Sequence, residues 1–127
     1  ASVACKWFFL EEGTSRADLL AGQRLAAPEL MFTEVANIVW KNLRARKIEL
    51  RDAKEVMAKL ASMPIHLHDS RAHLPLALEI AATCDRTIYD ALYVALAEVE
   101  NTYVVTADMR LFNAFANTKW AGRVHIL

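Results

Sequence analysis

Thiols are scarce in this chain. Only Cys5 and Cys84 carry them, neither lies in a Cys-x-x-Cys spacing, and both sit among apolar residues with helical spacing. That argues against a disulfide scaffold and for two reduced core thiols in a reducing compartment. An excess of either charge is missing too: 15 Lys and Arg balance 15 Asp and Glu, for a formal net charge of zero. No global field gathers nucleic acid, so any such binding rests on a local patch. No apolar run approaches the roughly 20 residues that span a bilayer, and no charged-then-apolar leader opens the chain. A cytoplasmic protein without membrane attachment is therefore expected. Internal repeats, low-complexity tracts and interdomain linkers are also lacking, which predicts a single domain over residues 1–127.

What the chain has in abundance is apolar surface, 55% of its residues, enough to fill a core. A helical pattern opens at Ser2, a candidate N-cap, and runs into Trp7-Phe8-Phe9-Leu10. Four consecutive bulky residues point around more than half of a helix, so part of that surface is expected to meet a partner. Gly13 breaks the pattern. Ser15 is the candidate cap of a second helix that includes Ala17, Leu20 and Leu25, and Pro28 ends the linker after it. Glu29–Phe32 is predicted as a short strand. Helices follow over Thr33–Arg46 and Arg51–Ser62, then a strand over Ile65–His68 and a helix over Ser70–Thr83 with Pro75 in its opening turn. A helix over Arg86–Glu98 carries apolar residues on nearly every side and belongs inside the domain. Thr102–Thr106 reads as a strand, Asp108 as the cap of a helix to Asn117, and Arg123–Leu127 as a last strand. Strands separated by helices imply parallel crossovers and a three-layer α/β/α sandwich with a mostly parallel sheet.

Three acids stand at element starts: Glu34 on its helix, Asp90 in the first turn of the buried helix, and Asp108 just past the strand ending at Thr106. Each has a simpler reading as a first-turn acid or a cap. In a parallel sheet, however, strand carboxyl ends and the helix amino ends that follow share one edge, where these residues can converge. Converging carboxylates need a cation. Mg²⁺ and Mn²⁺ take oxygen ligands and bind phosphates through the same shell, which suits phosphodiester hydrolysis.

The runs Glu34-Val35-Ala36-Asn37-Ile38-Val39-Trp40, Thr87 to Ala97 with Tyr89-Asp90-Ala91-Leu92-Tyr93 at its heart, and Val105-Thr106-Ala107-Asp108-Met109-Arg110-Leu111 resemble the successive acidic motifs of PIN domains. Within that family the chain is most similar to the VapC toxins of prokaryotic toxin–antitoxin pairs. The resemblance implies a Mg²⁺-dependent endoribonuclease, Mn²⁺ being an alternative ion, with Glu34, Asp90 and Asp108 as catalytic and metal-binding acids and Thr106 as their polar neighbour. It implies an RNA substrate, a cognate antitoxin that covers the first helices, and a homodimer. It also implies that the chain is N-terminally truncated relative to the family, whose first strand ends in an aspartate just ahead of a segment like Ala1-Ser2-Val3. A catalytically silent PIN-like module that binds protein is the alternative.

Other residues follow from these. Lys41 and Arg44 trail Glu34 on one helical stripe and are candidate phosphate contacts, against the plainer reading of a solvated face. Arg86 and Arg110 flank acids, where a guanidinium either balances charge or holds phosphate. His66, His68, His73 and His125 lack zinc spacing and read as structural or surface residues.

Overall fold

The computed structural model describes residues 1–9 and 14–127. Leu10 and the break at Gly13 lie outside the described residues. In chain order the elements are α1 (Ser2–Lys6), α2 (Thr14–Ala21), β1 (Leu25–Pro28), α3 (Leu30–Arg44), α4 (Leu50–Ser62) and β2 (Ile65–His68). A 3₁₀ turn (Ser70–His73) leads into α5 (Leu74–Cys84), followed by α6 (Ile88–Val99), β3 (Val104–Thr106) and α7 (Met109–Phe115). A second 3₁₀ turn (Ala121–Arg123) leads into β4 (Val124–Ile126).

This is the expected α/β fold with parallel strands, and its sheet is small. β1 pairs in parallel with β2 from Leu25↔Ile65 to Pro28↔His68, and β3 pairs in parallel with β4 from Val104↔Val124 to Thr106↔Ile126. Among the described residues the two pairs are not hydrogen-bonded to each other. A groove of about 610 Å³ separates them, floored by Tyr93, Leu96 and Ala97 of α6 and flanked by Leu25 and Val105. Both pairs lie beside α6, which touches β1 and β3.

α6 is as buried as its composition requires: Ala91, Leu92, Val94, Ala95, Leu96 and Ala97 are all buried. It packs most extensively against α5. One half of the core joins α5 and α6 to Leu111, Phe115, Trp120 and Val124, and the other joins α1 and β1 to α3 and α4. Tyr93 reaches from α6 into that second half. Cys5 is buried and Cys84 half-buried.

Several boundaries differ from the sequence reading, each for a local reason. The strand predicted at Glu29–Phe32 is Leu25–Pro28, and Leu25, assigned above to the second helix, belongs to it. Pro28 has no N–H to give a ladder and is tolerated at the end of this strand. Glu29 already has helical angles, φ −53° and ψ −32°, so α3 starts at Leu30 rather than Thr33 and turns Met31, Val35 and Val39 inward. Ser15 does not cap α2, which begins at Thr14. Ala1, not Ser2, is the N-cap of α1. Between α5 and α6, Asp85 adopts a left-handed conformation (φ 50°, ψ 51°) and Arg86 N–H returns to the Ala81 carbonyl at 3.1 Å. Pro75 sits in the first turn of α5, as expected. No helix among the described residues is long and apolar enough to cross a membrane.

Candidate active site

Asp90 owes its position to the start of α6. Thr87 is the N-cap, and its Oγ1 accepts the Asp90 N–H at 3.1 Å. The side chain of Asp90 is answered by charge: Arg86 Nη2 donates to Oδ2 at 3.1 Å across one helical turn. Both side chains are about three-quarters covered, Arg86 26% and Asp90 28% exposed, so screening is weaker than at an open surface pair. Arg86 Nε is buried and has no hydrogen-bond partner among the described residues.

One turn further along α6, Tyr93 presents its hydroxyl to Glu34 of α3 and donates a short hydrogen bond to Oε2. Burial is the first cause that pushes the Tyr93 phenol above its usual range, followed by this bond and by the negative charges of Glu34 and Asp90. The phenol therefore stays protonated and remains a donor to the carboxylate. The nitrogen of Ala1 in turn donates to Tyr93 Oη at 3.3 Å. Glu34 and Asp90, 56 positions apart in sequence, thus both act on the Tyr93 phenol.

Asp108 is held by a different set of contacts. It caps α7, with Oδ1 accepting Arg110 N–H at 2.8 Å and Leu111 N–H at 3.3 Å, and its own N–H donates to Thr106 Oγ1 at 3.0 Å. Thr106 is buried, 3% exposed, and its hydroxyl lies 3.4 Å from Ser2 Oγ, which also accepts the Ala107 N–H at 3.1 Å. The Ala1–Ser2 segment consequently links the two acidic ends: Ala1 touches the Tyr93–Glu34 pair, and Ser2 touches the Thr106–Asp108 turn.

Among the described residues no three His, Cys, Asp or Glu side chains are grouped closely enough to hold a metal ion. Glu34 and Asp90 both act on the Tyr93 phenol, and Asp108 is engaged as the cap of α7. An all-protein cage does not fit this donor set. A hard divalent cation held by one or two carboxylates, with water and phosphate completing its shell, does fit.

Lys41, Arg44 and Arg110 are all exposed, and the Arg44 guanidinium lies 5.0 Å above the Trp40 ring. Trp7, Phe8 and Phe9 are half-buried against the α1–α3–α4 half of the core, Trp7 Nε1 donating to the Ala17 carbonyl at 2.8 Å. Tyr93 and Ser2 were not singled out as site residues from sequence. Tyr93 was legible in principle, because three positions after Asp90 it shares that helix face. Nothing local marks Ser2, whose partners lie more than a hundred residues away.

The PIN domain family matches residues 1–117. Ribonuclease VapC9 of Mycobacterium tuberculosis (strain H37Rv) is 30% identical over 102 residues, covering 80% of this chain and 78% of that protein. Ribonuclease VapC3 of Pyrobaculum aerophilum is 29% identical over 119 residues, covering 91% of each. Parallel strands, an acid at the start of the central buried helix, and a family match over most of the length lead to one conclusion: the chain belongs to the PIN-domain family.

Proposed function

We propose that this chain is the ribonuclease of a toxin–antitoxin pair, an endoribonuclease that hydrolyses RNA phosphodiester bonds with water as nucleophile. The observation that carries the reading is the hydrogen bond of Tyr93 from α6 to Glu34 of α3, on the helix whose first turn carries Asp90, with both acids raising the pKa of that phenol. Similarity to ribonucleases named VapC supports it. Asp90 and Glu34 would hold the ion, Mg²⁺ or alternatively Mn²⁺, with Asp108 completing the acidic set. Such an ion supplies Lewis-acid stabilisation of phosphate charge and acidifies water.

The chain's own residues do the rest. Arg86 fixes the Asp90 carboxylate, and Tyr93 fixes that of Glu34. Thr106 anchors the backbone of Asp108. Lys41, Arg44 and Arg110 are the cations that hold RNA phosphates. The half-buried rings Trp7, Phe8 and Phe9 form the surface a cognate antitoxin covers, and the active form is a cytoplasmic homodimer.

A second reading, a catalytically silent PIN-like protein-binding module, is favoured by one observation: Asp90 is already paired with Arg86, and Asp108 is engaged as a cap. One experiment separates the two. Wild-type protein should cleave RNA with Mg²⁺ and not after chelation, and Asp90→Asn should abolish the metal-dependent cleavage while the circular dichroism spectrum is unchanged. Full cleavage by the variant, or none by the wild type, would falsify the nuclease reading.

A further inference from the structure

α3 carries an exposed aromatic ring that the core does not use. Trp40 is 49% exposed and belongs to neither half of the core, whereas Trp120 is buried and Trp7 is tied to Ala17. An isolated exposed apolar side chain needs no explanation; this one has unusual company. The Arg44 guanidinium lies over the ring at 5.0 Å. Asn37, three positions before Trp40, shares its helix face, and Lys41 lies on the neighbouring stripe that runs back through Asn37 to Glu34. Arg46 and Lys47 follow at the helix end. Among the described residues none of Lys41, Arg44, Arg46 and Lys47 forms an ion pair with an acid.

Lys41 and Arg44 beside the ring make a local anionic-ligand surface on a chain whose net charge is zero, while Arg46 and Lys47 line a neighbouring hollow together with Glu49 and Asp52. The flat π-face of Trp40, with Arg44 over it, adds what phosphate contacts alone do not supply, a surface on which a base can stack. Trp40 lies six positions beyond Glu34 on α3, about 9 Å along the axis. A base there flanks the scissile phosphate and is not the one at it.

We infer that Trp40, backed by Arg44, is a base-stacking residue that binds a flanking nucleotide of single-stranded RNA. The inference rests on the nuclease reading for its substrate and assigns Trp40 a positioning role. A base paired in a duplex keeps its faces stacked on its neighbours and cannot offer one to the indole without unstacking, so the contact discriminates against duplex RNA.

The test is binding without cleavage, in chelator, using a single-stranded hexa-adenylate, an abasic ribose-phosphate hexamer of equal charge, and an RNA duplex. The hexa-adenylate should quench tryptophan emission, and Trp40→Leu should remove that quench and weaken binding about tenfold, the loss expected for one stacked base. Trp40→Phe should recover most of the affinity. The abasic hexamer should bind wild type and Trp40→Leu alike, and the salt slope should not change, because no charge is removed. Equal hexa-adenylate affinity in wild type and Trp40→Leu overturns the inference, including the case in which a protein partner covers this face. So does a Phe variant as weak as the Leu variant. Cleavage by Asp90→Asn bears on the nuclease reading alone, so either can fail while the other stands.

Discussion

Asp108 performs two tasks that one substitution can separate. Its Oδ1 caps α7 through the Arg110 and Leu111 N–H groups, and its charge is what the nuclease reading needs. Asparagine caps a helix about as well as aspartate, whereas alanine does not. Asp108→Asn should therefore leave the thermal midpoint nearly unchanged and sharply reduce RNA cleavage. Asp108→Ala should lose the same activity and also about 1 kcal/mol of stability in urea unfolding. Activity retained by the Asn variant would reduce Asp108 to a cap. Asp90 and Glu34 are differently placed, because their partners Arg86 and Tyr93 are side chains that orient the carboxylates without fastening them to a helix end.

Among the elements, α6 decides most. Its low polarity made it recognisable as the buried helix, and the Thr87 cap sets where it begins. That start places Asp90 in the first turn, next to Arg86, and Tyr93 one turn on, facing α3. Thr87→Ala removes the acceptor for the Asp90 N–H and should cost about 1 kcal/mol, read as a lower denaturation midpoint, with Thr87→Ser restoring most of it. If the first turn frays as well, cleavage should fall further than the stability loss alone explains, which cleavage assays well below the midpoint will reveal. β1 was the element misplaced from sequence. Leu25-Ala26-Ala27 has little β-branched character, and it is a strand because Ile65–His68 offers it a parallel ladder.

Viewed as a whole, the molecule is electrically neutral with a local concentration of cations at the end of α3. Lys41 and Arg44 are exposed and make no ion pair among the described residues, so replacing both with Ala should cost little stability. RNA affinity should drop, and the slope of log affinity against log salt should become shallower by about 1.4, roughly 0.7 for each phosphate contact to a single strand. An unchanged slope would return these residues to an ordinary solvated face. Because Arg44 also lies over Trp40, its single replacement should weaken hexa-adenylate binding more than that of Lys41.

Residue type and spacing alone determined the α/β class, the identity of the buried helix, the first-turn place of Asp90 and the Asp108 cap. These are properties of short stretches, where periodicity of 2 or 3.6 and capping chemistry act over a few positions. Glu34, expected at a helix start, lies beyond the first turn of α3, which begins at Leu30. Tertiary structure decided what lies far apart in the chain: that β1 is Leu25–Pro28, that the strands form two separate parallel pairs, and that Tyr93 meets Glu34 across 59 positions. It also decided that Ser2 binds the Thr106–Ala107 turn in place of capping its own helix. A hydroxyl takes whichever donor the packed core brings near it, and local sequence does not specify that neighbour.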